Sequence, residues 1–102
     1  MESKEENLLN IIVNSGEAKS LAFESIQLAK KGELEAAEEK LEEAKQVQLK
    51  AHNAQTELLV QEANGEHTSL SMLLIHAQDH LMNSITFVDL SKEIVELYRR
   101  QK

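Results

Sequence analysis

The sequence predicts an all-α protein: an antiparallel three-helix bundle in up-down-up order. The chain of 102 residues contains no proline and three glycines, and the helix formers Ala, Leu, Glu, Lys and Gln dominate it. Gly32 and Gly65 fall where the apolar periodicity is interrupted, at positions typical of helix ends. Because short connections make successive helices antiparallel neighbours, we expect a single domain over residues 1–102.

The first two helices are defined by one apolar face each. The first is predicted from about Glu5 to Lys30 and the second from about Glu33 to Asn64. The expected core face of the first helix consists of Leu8, Ile11, Ile12, Ser15, Ala18, Leu21, Ala22, Ser25 and Ala29. That of the second begins with Leu34, Ala37, Leu41 and Ala44. The Glu and Lys residues between these positions are interpreted as a solvated face.

The third helix is predicted from about Ser69 to Arg100, with Thr68 or Ser69 as its cap, and it has apolar residues on two faces. One stripe should pack on the first two helices and consists of Leu70, Leu74, Ala77, Leu81, Ile85 and Val88. The second is a seam with heptad spacing, formed by Met72, Ile75, Asp79, Met82 and Thr86. Three helices offer this seam no partner, so we expect self-association through the third helix.

Charge and composition exclude several classes of protein. The formal net charge is −7, which argues against binding to a phosphate backbone, so no nucleic-acid partner is expected. The chain has no cysteine, and therefore neither a disulfide framework nor a thiolate metal site. The start Met1-Glu2-Ser3-Lys4 lacks the basic and apolar regions of a signal peptide, and no apolar run approaches the roughly 20 residues of a membrane span. A cytoplasmic protein without membrane insertion is expected.

Asp79 is the polar residue of the heptad seam. If the seam lies on a symmetry axis, the Asp79 carboxylates of all subunits converge there. Like charges in such a site must be protonated or neutralised by a cation. A hard cation such as Mg²⁺ suits carboxylate oxygens, although periodicity does not choose between a metal and a proton.

The segment His76-Ala77-Gln78-Asp79-His80 places reactive groups within an apolar run. Positions i, i+3 and i+4 share one helix face, so His76, Asp79 and His80 should form one polar cluster. A neutral imidazole is a good nucleophile towards phosphorus, with His80 and Gln78 as local candidates to support an incoming phosphoryl group. The alternative is an ordinary, partly exposed or hydrogen-bonded histidine.

Two further groups of residues surround this cluster. His52, Gln55 and Thr56 share a face of the second helix, and we interpret them as buried hydrogen-bonding groups. Leu73 and Phe87 lie on the same side of the third helix as His76. They are candidates for exposed apolar residues that contact a partner.

Residues 76–82, HAQDHLM, resemble the signature of the lactose/cellobiose-type enzyme IIA proteins of the bacterial phosphoenolpyruvate-dependent sugar phosphotransferase system (PTS). Other segments are also similar to that family: SGEAKS at 15–20, AHNAQTELL at 51–59, EANG at 62–65 and ELYRR at 96–100. The resemblance covers essentially the whole chain.

The resemblance implies a homotrimer of three-helix subunits, with His76 phosphorylated near each subunit interface. It implies a phosphotransferase component that accepts a phosphoryl group from phospho-HPr and passes it to a cysteine of the cognate enzyme IIB. The transported sugar would be a β-linked disaccharide of the cellobiose, lactose or chitobiose type. At the position of Asp79, it implies a divalent metal, expected to be Mg²⁺, with one ion per trimer in a structural role.

Two other function classes remain open at this point. One is a histidine phosphotransfer domain of two-component signalling, in which a lysine and a glycine usually follow the histidine where this chain has Asp79 and His80. The other is a structural helical oligomer whose His/Asp cluster only binds metal. A catalytic zinc site is disfavoured because the segment lacks the glutamate of the HExxH motif.

Overall fold

The computed structural model describes residues 3–101, which form three α-helices. Helix α1 spans Lys4–Lys30, α2 spans Leu34–Ala63 and α3 spans Met72–Arg100. The predicted bounds of α1 and α2 are therefore correct to within one residue at each end, whereas α3 begins three residues later than predicted. The prediction that the N-terminal sequence is not a signal peptide rests partly on Met1 and Glu2. These two residues lie outside the described residues.

Each helix begins or ends for a local chemical reason. At the start of α1, the Ser3 hydroxyl accepts a hydrogen bond from the Glu6 amide and the Glu6 carboxylate accepts one from the Ser3 amide, both at 3.1 Å. The hydrogen bonds from the Ser3 amide and hydroxyl hold the pKa of the Glu6 carboxyl below its ordinary value. Gly32 and Gly65 lie two residues beyond the ends of α1 and α2, and their φ angles of +82° and +90° suit glycine.

The cap predicted for α3 is wrong. Its N-cap is Ser71, whose hydroxyl accepts a hydrogen bond from the Leu74 amide at 3.1 Å, rather than Thr68 or Ser69. Residues 66–71 have no regular secondary structure, because the chain uses them to cross from the end of α2 to the start of α3. Leu70, predicted to be in the core, consequently lies in this connection and is 82% exposed.

The buried clusters establish the up-down-up order. At one end, residues from the start of α1, the end of α2 and the start of α3 pack together: Leu8, Ile11, Ala51, Ala54, Leu58, Ala77 and Leu81. At the other end, the cluster consists of Ala29, Leu34, Ala37, Leu41 and Val95. Apart from Leu70, the predicted core stripes are buried or half-buried. None of the helices within residues 3–101 is long and apolar enough to cross a membrane.

The charged first half of α2 is a solvated face, as predicted. Its carboxylates are exposed at Glu35, Glu38, Glu39, Glu42 and Glu43. The Lys40 ammonium lies 3.4 Å from Glu43 and 3.6 Å from Glu24, and these carboxylates, Glu43 foremost, raise the pKa of Lys40. Such exposed ion pairs contribute little to stability.

Among residues 3–101, eight of the sixteen buried hydrophobic residues are alanines, so a few large side chains supply most of the core volume. Leu81 is one of them and is fully buried in the cluster near the start of α3. We expect Leu81→Ala to lower the free energy of unfolding by about 3 kcal/mol through lost burial and a residual cavity. Urea unfolding at several protein concentrations would measure the loss independently of association.

The matched control is Leu49→Ala, because the Leu49 side chain on α2 is 50% exposed. This change should alter the unfolding free energy by no more than about 0.5 kcal/mol. Equal losses in the two variants would contradict the assigned core.

Candidate functional site

His76 and His80 form a contacting pair on α3. Their ring centroids are 4.3 Å apart, and the ring planes meet at 83°, an edge-to-face arrangement. The His76 side chain is exposed and that of His80 is half-buried. The contact predicted from the four-residue spacing is confirmed. The His76 imidazole remains accessible, and the His80 ring packs beside it.

Asp79 lies on the exposed side of α3. It is in the middle of the heptad seam, between side chains that are all more than half exposed: Met72 at 85%, Ile75 at 55% and Met82 at 57%. The buried side of the same helix carries Ala77 and Leu81. The predicted division of α3 into a core face and an outward apolar seam is therefore confirmed.

One subunit does not assemble a metal site from the residues that the structure describes. Among residues 3–101, no three His, Asp or Glu side chains gather closely enough to hold an ion. Asp79 offers one carboxylate, and its oxygens suit a hard cation. Any metal site at Asp79 would therefore take its other ligands from outside this group of side chains.

Gln78 is not brought to His76 within one subunit. Residues two positions apart point to different sides of a helix, because each residue turns it by roughly 100°. Gln78 instead faces α2, where Gln55 Nε2 donates a hydrogen bond to Gln78 Oε1 at 2.6 Å. Within the subunit, Gln78 is therefore held against α2 rather than turned towards His76.

The polar residues of α2 divide into two groups. Gln55 is half-buried and, through its bond to Gln78, joins α2 to α3 by a hydrogen bond, as predicted. Gln48 adds a second such link, because its side chain accepts a hydrogen bond from Ser84 Oγ at 3.2 Å. The prediction is wrong for His52 and Thr56, which are exposed; Thr56 Oγ1 only donates to the His52 carbonyl at 3.0 Å. Ala51 occupies the core, so the next residue, His52, is turned away from it.

A groove runs between α1 and α3. This α1–α3 groove has a volume of about 500 Å³ and is lined by Gly16, Lys19, Ser20, Phe23, Glu24 and Phe87. Phe23 is 53% exposed, and the Lys19 ammonium lies 5.7 Å from the centroid of the Phe87 ring. Phe87 and Leu73, predicted as exposed apolar residues near His76, are both half-buried. The α1 residues of the groove were not identified from the sequence, because periodicity does not show which helices adjoin.

Comparison with known proteins gives a consistent result. The family model "PTS system, Lactose/Cellobiose specific IIA subunit" matches residues 6–99. The lichenan-specific phosphotransferase enzyme IIA component of Bacillus subtilis is 46% identical over 99 residues, which cover 97% of this chain and 90% of that protein. The cellobiose-specific EIIA component of Lactococcus lactis is 49% identical over 88 residues, covering 86% and 76% of the two chains.

Solved structures extend the similarity to the fold. The PTS cellobiose-specific enzyme IIA from Bacillus anthracis superimposes with a TM-score of 0.93 at 47% identity, over 98% of this chain and 92% of that one. The IIA(chitobiose) subunit of Escherichia coli, solved in complex with HPr, gives a TM-score of 0.84 at 35% identity over 98% and 97% of the chains.

Proposed function

Because the chain belongs to the lactose/cellobiose-specific enzyme IIA family of the sugar phosphotransferase system, we propose that it carries a phosphoryl group on His76. It accepts the group from phospho-HPr and passes it to the cysteine of a cognate enzyme IIB. The observation that supports this role is the exposed His76 imidazole, placed edge-to-face with His80 on α3. The protein is a phosphotransferase component of the system, and its family membership decides against the signalling-domain alternative.

The chemistry needs little beyond an accessible ring nitrogen. A neutral His76 nitrogen attacks phosphorus, and the new N–P bond forms as the N–P bond to the donor histidine breaks. In the second transfer, the IIB thiolate attacks and a P–S bond replaces the bond to His76. Both steps are in-line displacements that require room on the far side of phosphorus, which the exposure of His76 provides.

His80 acts as the positioning residue of this site. Its ring lies against His76, limits the rotation of that imidazole and offers a nitrogen donor beside it. Gln78 acts in the site only if a neighbouring subunit brings it there, because its own subunit holds it against Gln55.

The assembly we propose is a homotrimer around the heptad seam of α3. Burying the exposed side chains of Met72, Ile75 and Met82 supplies the driving force, and Asp79 of each subunit then meets its copies at the axis. Three carboxylates suit one divalent cation, expected to be Mg²⁺, whose role is to neutralise their repulsion and hold the trimer together. The phosphoryl transfer uses His76 and is independent of that ion.

The names of the relatives support the proposed substrate class. Those similar to this chain are named for lichenan, cellobiose, lactose, galactose and N,N'-diacetylchitobiose. We place this protein in the uptake of a β-linked disaccharide of the cellobiose, lactose or chitobiose type. Because its proposed partners are HPr and IIB, we place it in the cytoplasm.

The test is to reconstitute the relay. Wild-type protein incubated with phosphoenolpyruvate, enzyme I and HPr should gain one acid-labile phosphoryl group per subunit, measured by intact-mass spectrometry at neutral or alkaline pH. Omission of HPr should prevent the gain, and addition of cognate IIB should reverse it. If the folded protein gains no phosphoryl group, the alternative function, a structural oligomer that only binds metal, would be favoured.

A further inference from the structure

Polar groups tie the connection between α2 and α3 to the rest of the bundle. The Lys4 ammonium, in the first turn of α1, donates hydrogen bonds to the Glu66 carbonyl at 3.1 Å and to the His67 carbonyl at 2.8 Å. The Glu66 amide in turn donates to the Gln61 carbonyl at 2.9 Å. The connection, residues 66–71, is therefore hydrogen-bonded to both α1 and α2.

Three buried polar atoms near this connection have no hydrogen-bond partner among residues 3–101: Asn7 Nδ2, Gln61 Oε1 and Thr68 Oγ1. Asn7 is 1% exposed and Gln61 is 8% exposed, so bulk solvent does not serve their side chains. Buried polar groups in proteins are nearly always paired, either with another protein group or with an ordered water molecule. These three atoms therefore call for a partner.

The packing of α1 against α2 brings Asn7 and Gln61 to the same end of the bundle. Leu8 and Leu58 belong to one buried cluster. Asn7 directly precedes Leu8, and Gln61 follows Leu58 by three residues on the buried face of α2. Both amides thus lie at the margin of the same apolar cluster, on the side of the connection.

Thr68 is brought to this end of the bundle by Lys4. Asn7 lies about one turn after Lys4 on α1, so the two side chains share a side of the helix. Lys4 binds the carbonyl of His67, the residue before Thr68. A cavity of about 230 Å³ adjoins Thr68 and Leu58, which is ample room beside the connection for a water molecule of about 30 Å³.

We propose that a bound water molecule links the side chains of Asn7, Gln61 and Thr68. The chemistry of the three atoms fits water, because Asn7 Nδ2 only donates, Gln61 Oε1 only accepts and the Thr68 hydroxyl does either. Water accepts from the first and donates to the other two, and three hydrogen bonds are typical of a buried water. This water site and the bonds of Lys4 together fix the connection. The site is separate from the phosphoryl transfer proposed for His76.

The connection leads directly to the start of α3. The Ser71 hydroxyl accepts a hydrogen bond from the Leu74 amide at 3.1 Å, and the Ser71 carbonyl accepts one from the Ile75 amide at 3.0 Å. Met72 of the heptad seam is in this first turn, and His76 begins the next. A connection fixed to α1 and α2 therefore sets where α3 begins and holds its first turn in place.

The water site is tested by crystallography and by paired substitutions. A crystal structure of the wild-type protein should show a water molecule within hydrogen-bond distance of Asn7, Gln61 and Thr68. Asn7→Leu and Gln61→Met each remove one polar group, and each should lower Tm by about 5 °C because the remaining groups stay buried without a partner. The double variant should lose less than the sum of the two shifts. Asn53→Leu is the control, because Asn53 is exposed on α2 and its replacement should shift Tm by less than about 2 °C.

Hydrogen exchange tests the effect on α3. Lys4→Met removes the ammonium group and keeps an unbranched side chain, so the Leu74 and Ile75 amides should exchange about tenfold faster. Lys4→Arg, which still donates hydrogen bonds, should exchange at nearly the wild-type rate. Lys50→Met, which changes an exposed lysine on α2, is the matched control and should leave both amides unaffected.

Several results would overturn the inference. A direct hydrogen bond between the Asn7 and Gln61 side chains, with no water between them, would overturn the water site, as would additive Tm shifts in the double variant. Thr68→Val provides the same test of Tm if either amide variant does not fold. Unchanged exchange of the Leu74 and Ile75 amides in Lys4→Met would show that the connection does not hold the first turn of α3.

Discussion

Replacing His76 by alanine should abolish phosphoryl uptake from phospho-HPr and leave the subunit folded. The loss should be complete because the substitution removes the atom that bonds to phosphorus. Stability should change little, because the His76 side chain is exposed and alanine is the better helix former. Intact-mass spectrometry after the reconstituted relay measures the first effect, and thermal unfolding measures the second.

The chain provides matched controls for this experiment. His52 on α2 and His67 in the connection before α3 are exposed imidazoles that do not belong to the His76–His80 pair, and alanine at either position should leave the adduct intact. His80→Ala should slow the transfer without preventing it, since the neighbouring ring only positions His76. An adduct that survives in His76→Ala but disappears in His80→Ala would assign the carrier role to His80.

Introducing lysine at Asp79 should dissociate the proposed trimer. If the side chains meet at the axis, three ammonium groups would repel one another without a cation to neutralise them. Like charges about 4 Å apart at an effective dielectric of about 20 cost about 4 kcal/mol for each pair. Sedimentation of wild-type and Asp79→Lys protein at equal concentration measures the change directly.

Asp79→Leu is the variant to compare with Asp79→Lys, because it removes the charge at this position instead of reversing it. Leucine is apolar, like the exposed Ile75 and Met82 of the seam. It also removes the carboxylates and with them the need for a neutralising ion, so the trimer should persist. A chelator should weaken the wild-type trimer and leave the leucine variant unaffected. An intact lysine trimer would contradict the axial position of Asp79. A wild-type trimer insensitive to chelator would favour shared protons over a metal.

Features within a single helix were predictable. The core faces of α1 and α2, the outward seam of α3 and the contact of His76 with His80 all follow from 3.6 residues per turn. Each depends on spacing along one element, and the helix fixes that spacing whatever surrounds it. The resemblance carried by residues 76–82 and four other segments likewise needed no coordinates, and the family match confirms it.

Features that depend on how the helices are connected and packed could not be predicted from residue spacing. Leu70 was expected in the core, yet the connection after Gly65 uses six irregular residues and leaves it in solvent. His52 was expected to be buried, yet the rotation of α2 is set by all its core alanines together and turns His52 outward. Both errors arise because a short segment does not contain the packing that determines its orientation.

The sequence by itself determined three helices, their inner faces, the histidine pair and the family to which the chain belongs. Only the tertiary structure decided that Gln78 faces Gln55 rather than His76, and that Lys19 lies over Phe87 beside an open Gly16. These pairings join residues 23 and 68 positions apart in the chain. Their geometry depends on the relative rotation and register of whole helices, which the packing of the entire core fixes.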